Sequence, residues 1–129
     1  MLQHFKGTGV AIVIPFDNKG NIDYTSFEKL FEHIISGGCE YIVAMGTTGE
    51  VPTLTTKEKE EILSFVVKKV NKRCGVVVGI GGNSTLEVVT RIKSTSFEGV
   101  DGLLSVCPYY NKPQQEGIFQ HFKTIAMDS

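Results

Sequence analysis

Several absences narrow the field before any motif is read. No apolar run approaches the ~20 residues that a membrane-spanning helix needs, and Met1 to Gly9 carries no signal-peptide pattern. No membrane partner is expected. Charge of one sign is not in excess either. Lys and Arg number 13 against 14 Asp and Glu, the formal net charge is −1, and the basic residues are scattered. Nothing there calls for a polyanion, so nucleic acid is not an expected partner. Cysteine is sparse and odd in number: Cys39, Cys74 and Cys107 form no C-x-x-C pair. A zinc ribbon or a redox pair is therefore not expected, and the thiols read as free in a reducing cytosol. Cys107, beside a candidate functional loop, reads as a small apolar filler at a strand end rather than a catalytic thiol. His4, His33 and His121 have no metal spacing and no H-E-x-x-H context, so each reads as a helix-surface or packing residue. No metal and no cofactor is expected.

What is present is ordinary for a globular α/β protein. With 129 residues, 41% hydrophobic and 21% charged, residues 1–129 suffice for one domain with a core. Gly9 to Pro15 is a continuous apolar run, the pattern of a strand buried on both faces. The turn Asp17-Asn18-Lys19-Gly20 ends it, and Asp23 is placed to cap a helix with Phe27, Leu30, Phe31, Ile34 and Ile35 on one face. Gly37-Gly38 stop that helix. Tyr41 to Met45 is a second strand, and Thr55-x-x-Glu58 opens a second helix over about Lys57 to Asn71, with Ile62, Phe65, Val66 and Val70 inward. Gly75 to Ile80 is a third strand. Ser84-x-x-Glu87 caps a third helix with Leu86, Val89, Ile92 and Phe97 inward. Asp101 to Val106 is a fourth strand, and Glu116 to Met127 a helix carrying Ile118, Phe119, Phe122 and Ile125. Four βα units at this spacing imply a parallel sheet. Two architectures fit: a doubly wound sheet, or the first four units of a (β/α)8 barrel.

Two loops stand out because both follow strands, at the end of the sheet where α/β proteins hold ligands. The first is Gly46-Thr47-Thr48-Gly49-Glu50, two hydroxyls between glycines. That set suits a small carboxylate or carbonyl oxygen, or equally a turn that satisfies its own backbone. Glu50 reads as structural, a carboxylate near enough to a helix start to accept backbone hydrogen bonds. The second is Pro108-Tyr109-Tyr110-Asn111-Lys112-Pro113, where two phenols can relay protons or pack in a subunit contact. Gly79-Ile80-Gly81-Gly82-Asn83-Ser84 matches a dinucleotide fingerprint only in part, since Ser84 stands where a third glycine is required. Its glycines read as backbone conformation at a strand–helix turn.

Gly-Thr-Thr-Gly-Glu after the second strand and Pro-Tyr-Tyr-Asn-Lys-Pro after the fourth, with Gly9-Val-Ala-Ile-Val and Pro15-Phe16 at the start, together resemble the bacterial dihydrodipicolinate synthase family along essentially the whole chain. The Gly-Thr-Thr-Gly-Glu motif alone also fits related pyruvate lyases such as N-acetylneuraminate lyase, and the double tyrosine tips the choice. The resemblance implies a (β/α)8 TIM barrel and a lyase of class I type. Pyruvate would form a Schiff base with a lysine, condense with aspartate semialdehyde, and feed lysine and diaminopimelate biosynthesis in the cytoplasm. It implies that Thr48 and a neighbouring N–H hold the pyruvate carboxylate. Thr47 and Tyr110 would belong to a hydroxyl relay, the tyrosine reaching a neighbouring subunit within a dimer of dimers. Asn83, Glu87 and Tyr109 match positions that bind the inhibitor lysine in some members. Val51-Pro52 and Thr56-Lys57-Glu58-Lys59 depart from the histidines and small polar groups of lysine-sensitive members, which weighs against feedback inhibition. Ile14 replaces a usual threonine and is expected to loosen the hydrogen bonding beneath the site. The family's Schiff-base lysine lies beyond Ser129, so residues 1–129 are expected to be an inactive N-terminal half with open strand edges. Lys112, at a loop tip, lacks the burial that a nucleophilic amine needs.

Overall fold

The computed structural model describes residues 5–129, so His4 lies outside the described residues. Eight elements alternate along them: β1 (Gly9–Ala11), α1 (Tyr24–Ser36), β2 (Tyr41–Ala44), α2 (Thr56–Val70), β3 (Gly75–Gly79), α3 (Thr85–Ser94), β4 (Gly102–Leu104) and α4 (Gln115–Asp128). All strand pairs are parallel and the order across the sheet is β1-β2-β3-β4. That order decides between the two architectures. A doubly wound sheet reverses direction at a switch point. Here the chain steps one way, and right-handed crossovers of constant direction put every helix on the same face. The result is four consecutive units of a (β/α)8 barrel.

Register shows which residues meet those helices. Val10, Ile42 and Val76 lie abreast, as do Ala44, Val78 and Leu103. They join Phe27 and Phe31 of α1, Ile62 and Val66 of α2, and Val88 and Ile92 of α3 in one core. Phe27 and Phe31 stack at 4.7 Å, with Phe65 of α2 against both. The opposite, concave face is only partly covered, with Val13 51% and Leu104 45% exposed. The apolar run at Gly9 to Pro15 is therefore not a strand buried on both faces, and its paired part is only three residues long. One face is packed by helices while the other opens to solvent.

At the N-terminal end of that concave face the glycines make room for two rings. A Cβ on Gly9 would lie 2.1 Å from the Tyr41 ring, and one on Gly102 would lie 2.8 Å from Phe5. Phe5 and Tyr41 meet edge to face at 5.6 Å. Together they form an aromatic floor.

The helix starts follow the sequence closely. The Asp23 side chain accepts from Ser26 N–H, and Thr55 and Glu58 form a reciprocal capping box. The Ser84 side chain accepts from Glu87 N–H. Two inward assignments fail. Leu86 is 76% exposed and Phe119 58% exposed, whereas Val88 and His121 are buried in their places. Each misplaced residue precedes its buried counterpart by two positions, roughly 200° around a helix. Hydrophobicity drew the assignment, but phase decided it. Phe97 packs against the core from the link after α3 rather than from the helix. His121 is thus a packing residue, its Nδ1 hydrogen-bonded to Thr85 Oγ1 at 2.8 Å, and His33 lies on a helix surface.

Candidate active site

The loops after β2, β3 and β4 all emerge at the C-terminal edge of the sheet, and close backbone approaches stitch them together. A Cβ on Gly79 would lie 2.2 Å from the Met45 carbonyl oxygen, and one on Gly81 would lie 2.7 Å from Val106. Neither glycine has a left-handed φ. They are needed because another strand end lies against them, not because the turn demands a special conformation, which corrects the expectation from sequence. Arg91 of α3 donates to the Gly81 carbonyl, and Asn111 Nδ2 donates to the Asn83 carbonyl at 3.4 Å. Arg91 carried no signal in the sequence, because its role depends on a carbonyl that only the fold brings near.

The Gly46–Glu50 loop is a 3-10 turn over Thr47–Gly49, followed by a second over Val51–Thr53. Gly49 is buried, and a Cβ there would lie 3.1 Å from Ile14 Cδ1. Thr48 Oγ1 donates to the Ile12 carbonyl at 3.3 Å. Ile14 therefore supports the turn by packing, while the hydrogen bond beneath it is made to Ile12. Thr47 and Thr48 both lie exposed on the turn. The Glu50 carboxylate does not cap a helix. α2 begins at Thr56 under its own capping box, whereas Glu50 has φ 51° and its carbonyl accepts from Thr53 N and Oγ1 at 2.9 and 2.8 Å. It is the backbone of Glu50, not its side chain, that shapes the loop.

Six non-glycine residues among those described have positive φ; Glu50, Tyr110 and Lys112 lie in the two loops singled out from sequence, and Met45 immediately precedes the first. Such conformations cost energy and collect at functional sites. Tyr110 is 90% exposed and Tyr109 52%. Thr47 and Thr48 on one side, and Tyr110 on the other, therefore share an end of the sheet with the loop after β3 between them. Asn83, Glu87 and Tyr109 are brought together, lining a groove of about 400 Å³ with Gly82, Leu86 and Arg91. Cys107 is exposed, not the apolar filler that the sequence suggested, because the concave side of the β4 end is open.

A small space of about 60 Å³ behind the first loop is bordered by Met45, Lys59 and Arg91. Burial, followed by the charge of Arg91, pushes the Lys59 ammonium below its ordinary value. A larger cleft, about 1310 Å³, lies at the other end of the sheet among Asn71, Cys74, Ser94 and Asp101. In barrels built this way the chemistry sits on the loops that follow the strands. Size alone therefore does not move the site away from the C-terminal edge.

Sequential parallel strands, helices on one face and two strained loops at the C-terminal edge define part of a (β/α)8-barrel protein with its site at the strand ends. The chain belongs to the dihydrodipicolinate synthetase family, whose model matches residues 4–129. Among curated relatives, the 4-hydroxy-tetrahydrodipicolinate synthase of Cytophaga hutchinsonii is 52% identical over 125 residues, covering 97% of this chain and 42% of the relative. That of Parabacteroides distasonis is 50% identical over 123 residues, covering 95% and 41%. The solved dihydrodipicolinate synthase of Thermotoga maritima superposes with a TM-score of 0.92 at 40% identity, covering 98% of this chain and 42% of that one. The chain thus spans about two fifths of the length of the relatives it matches. Among the described residues, no helix is long and apolar enough to cross a membrane.

Proposed function

We propose that this chain supplies the first four βα units of a 4-hydroxy-tetrahydrodipicolinate synthase. This is a lyase that condenses pyruvate with aspartate semialdehyde in lysine and diaminopimelate biosynthesis. The observation that carries the reading is the Thr47–Gly49 turn, fastened from below by Ile12 and Ile14 and open above. The Thr48 hydroxyl proton is committed to Ile12, so what Thr48 offers a carboxylate is its backbone N–H, one of the first in a turn and without an acceptor inside it. Thr47 keeps its hydroxyl for a proton relay. Tyr110, held by a strained backbone between two prolines and turned to solvent, suits delivery to a neighbouring subunit's site. That arrangement fits a cytoplasmic homotetramer built as a dimer of dimers. No lysine among residues 1–129 is assigned the Schiff base.

The test replaces the matching stretch of the Cytophaga hutchinsonii synthase with residues 1–129. The chimera condenses pyruvate with aspartate semialdehyde and leaves sialic acid untouched. Thr47→Val or Tyr110→Phe lowers kcat by about 10²–10⁴-fold, the range for a lost proton-transfer group. A folded chimera in which neither change moves kcat would remove the relay, and cleavage of sialic acid instead would reassign the substrate. Incubating residues 1–129 alone with pyruvate and borohydride leaves their mass unchanged. A pyruvyl adduct at Lys112 would contradict its assignment as inert.

The groove of Asn83, Glu87 and Tyr109 offers an amide, a carboxylate and a phenol, a set that suits an amino acid's two charged ends. Val51-Pro52 and Thr56-Lys57-Glu58-Lys59, where lysine-sensitive members offer histidines and small polar groups, weigh against lysine as an inhibitor. Lysine titration of the chimera separates groove binding from loss of activity.

A further inference from the structure

The sequence gives no reason to pair any of the three cysteines, since Cys39 and Cys74 lie 35 positions apart and no spacing motif links them. The fold pairs two of them. Tyr41 and Gly75 lie abreast in the β2–β3 register, and Gly75 N–H donates to the Glu40 carbonyl at 2.9 Å, so the pairing runs one residue further back. Glu40 therefore stands beside Cys74, and Cys39 is the next residue. Both thiols are half-buried and pack on the same core, and Cys39 is near enough to Cys74 to help push the Cys74 thiol up. Cys107 follows β4 at the other end of the sheet and cannot join them. Cys39 is itself partly exposed, and Glu40 and Cys74 beside it border an open cleft of about 1310 Å³, which gives a small molecule a way in.

We propose that Cys39 and Cys74 form a redox-sensitive dithiol that closes to an intrachain disulfide by exchange with a small-molecule disulfide. In the first step a Cys39 thiolate attacks one sulfur of the small disulfide, forming a mixed disulfide and releasing one thiolate. In the second, Cys74 loses its proton to solvent and attacks the Cys39 sulfur, releasing the other thiolate. In sum two protein thiols are oxidised and one small disulfide is reduced to two thiols. Burial, then the neighbouring Cys39, pushes Cys74 up to about 11. At neutral pH Cys74 therefore keeps its proton, so the first attack falls to Cys39 and Cys74 resolves it. The product would link the entries to β2 and β3, at the end of the sheet remote from the proposed substrate loops. The proposal stands independently of the proposed activity.

The folded chain is exposed to oxidised glutathione in buffer, quenched with a maleimide, and mapped by mass spectrometry without reduction. The expected result is one cross-linked peptide pair carrying Cys39 and Cys74. Its mass lies about 2 Da below the sum of the free peptides, and Cys107 is absent from it. In Cys107→Ser the free thiols fall from two to none. Cys39→Ser keeps Cys74 maleimide-reactive and without a glutathione adduct. On oxidation the thermal midpoint of Cys107→Ser rises, and a reductant returns it. Two outcomes would overturn the proposal: both thiols still titrating after the challenge, or separate glutathione adducts on Cys39 and Cys74 without a cross-link. Serine variants that fail to fold leave the peptide map of the unaltered chain as the deciding measurement.

Discussion

Gly79 shows how much of the site depends on an absent atom. Its α-hydrogen faces the Met45 carbonyl, and a methyl there would sit 2.2 Å from that oxygen. Backbone cannot swing aside as a side chain can. Gly79→Ala is therefore expected to lower stability by about 1–3 kcal/mol, the usual cost of overpacking, and to move the amide resonances of Gly46 to Glu50 more than those of α1. Urea unfolding and an amide correlation spectrum check both; unchanged loop resonances would show that the two strand ends are not in contact. Individual residues were legible in the sequence where their partner was local. Asp23, Thr55 and Ser84 cap what they were expected to cap, because an N-cap needs only the next three residues. Arg91, Cys39 and Cys74 were not legible, since each owes its role to a group more than a few positions away, and Glu50 was misread because its backbone rather than its carboxylate shapes the loop.

At the scale of the element, the helices carry the surest energetics. Thr55→Ala removes the side chain that accepts from Glu58 N–H. It is expected to cost about 1 kcal/mol, read from the urea midpoint. Phe27 is fully buried and stacked on Phe31 and Phe65. Phe27→Ala is expected to cost about 3–5 kcal/mol. Set against the 5–15 kcal/mol typical of a domain, that leaves the chain close to unfolding at room temperature, which far-UV circular dichroism in dilute urea would reveal. The same elements set the acid limit. Hydrogen bonds from Ser26 hold the Asp23 carboxyl below its ordinary value, those from Thr55 do so for Glu58, and the Arg73 guanidinium that bonds both oxygens of Glu32 does so there. With the folded value beneath the unfolded one, the stabilisation is complete above the unfolded carboxylate range. It fades as pH falls through the folded values. Thermal midpoints measured from pH 7 downward should hold steady to about pH 5, near the top of that range, then decline, with a shallower decline in Thr55→Ala. Element type and order were legible because helix caps and apolar stripes repeat at fixed spacing. Strand length was not, because an apolar run does not say how many of its residues find a neighbouring strand.

For the whole molecule, sheet order is the decisive property, and periodicity could not supply it. Both candidate architectures alternate strand and helix, and only the pairing partners of β2 and β3 separate them. The barrel order leaves β1 and β4 as edges, with Val13, Leu104 and Val106 on view. Residues 1–129 alone are accordingly expected to associate as concentration rises. Leu104→Lys combined with Val106→Lys should slow that association in sedimentation velocity while leaving the urea midpoint nearly unchanged, since neither side chain belongs to the helix-covered core.

The rings of Phe5 and Tyr41, seated over Gly9 and Gly102, bear on traffic through the concave face. Where that face is closed into a complete barrel, they would act as a stopper at its bottom, and a solute bound along the axis would have no rear exit. Arrival and departure would share the rim that carries the two threonines, and whatever covers that rim would set both rates at once.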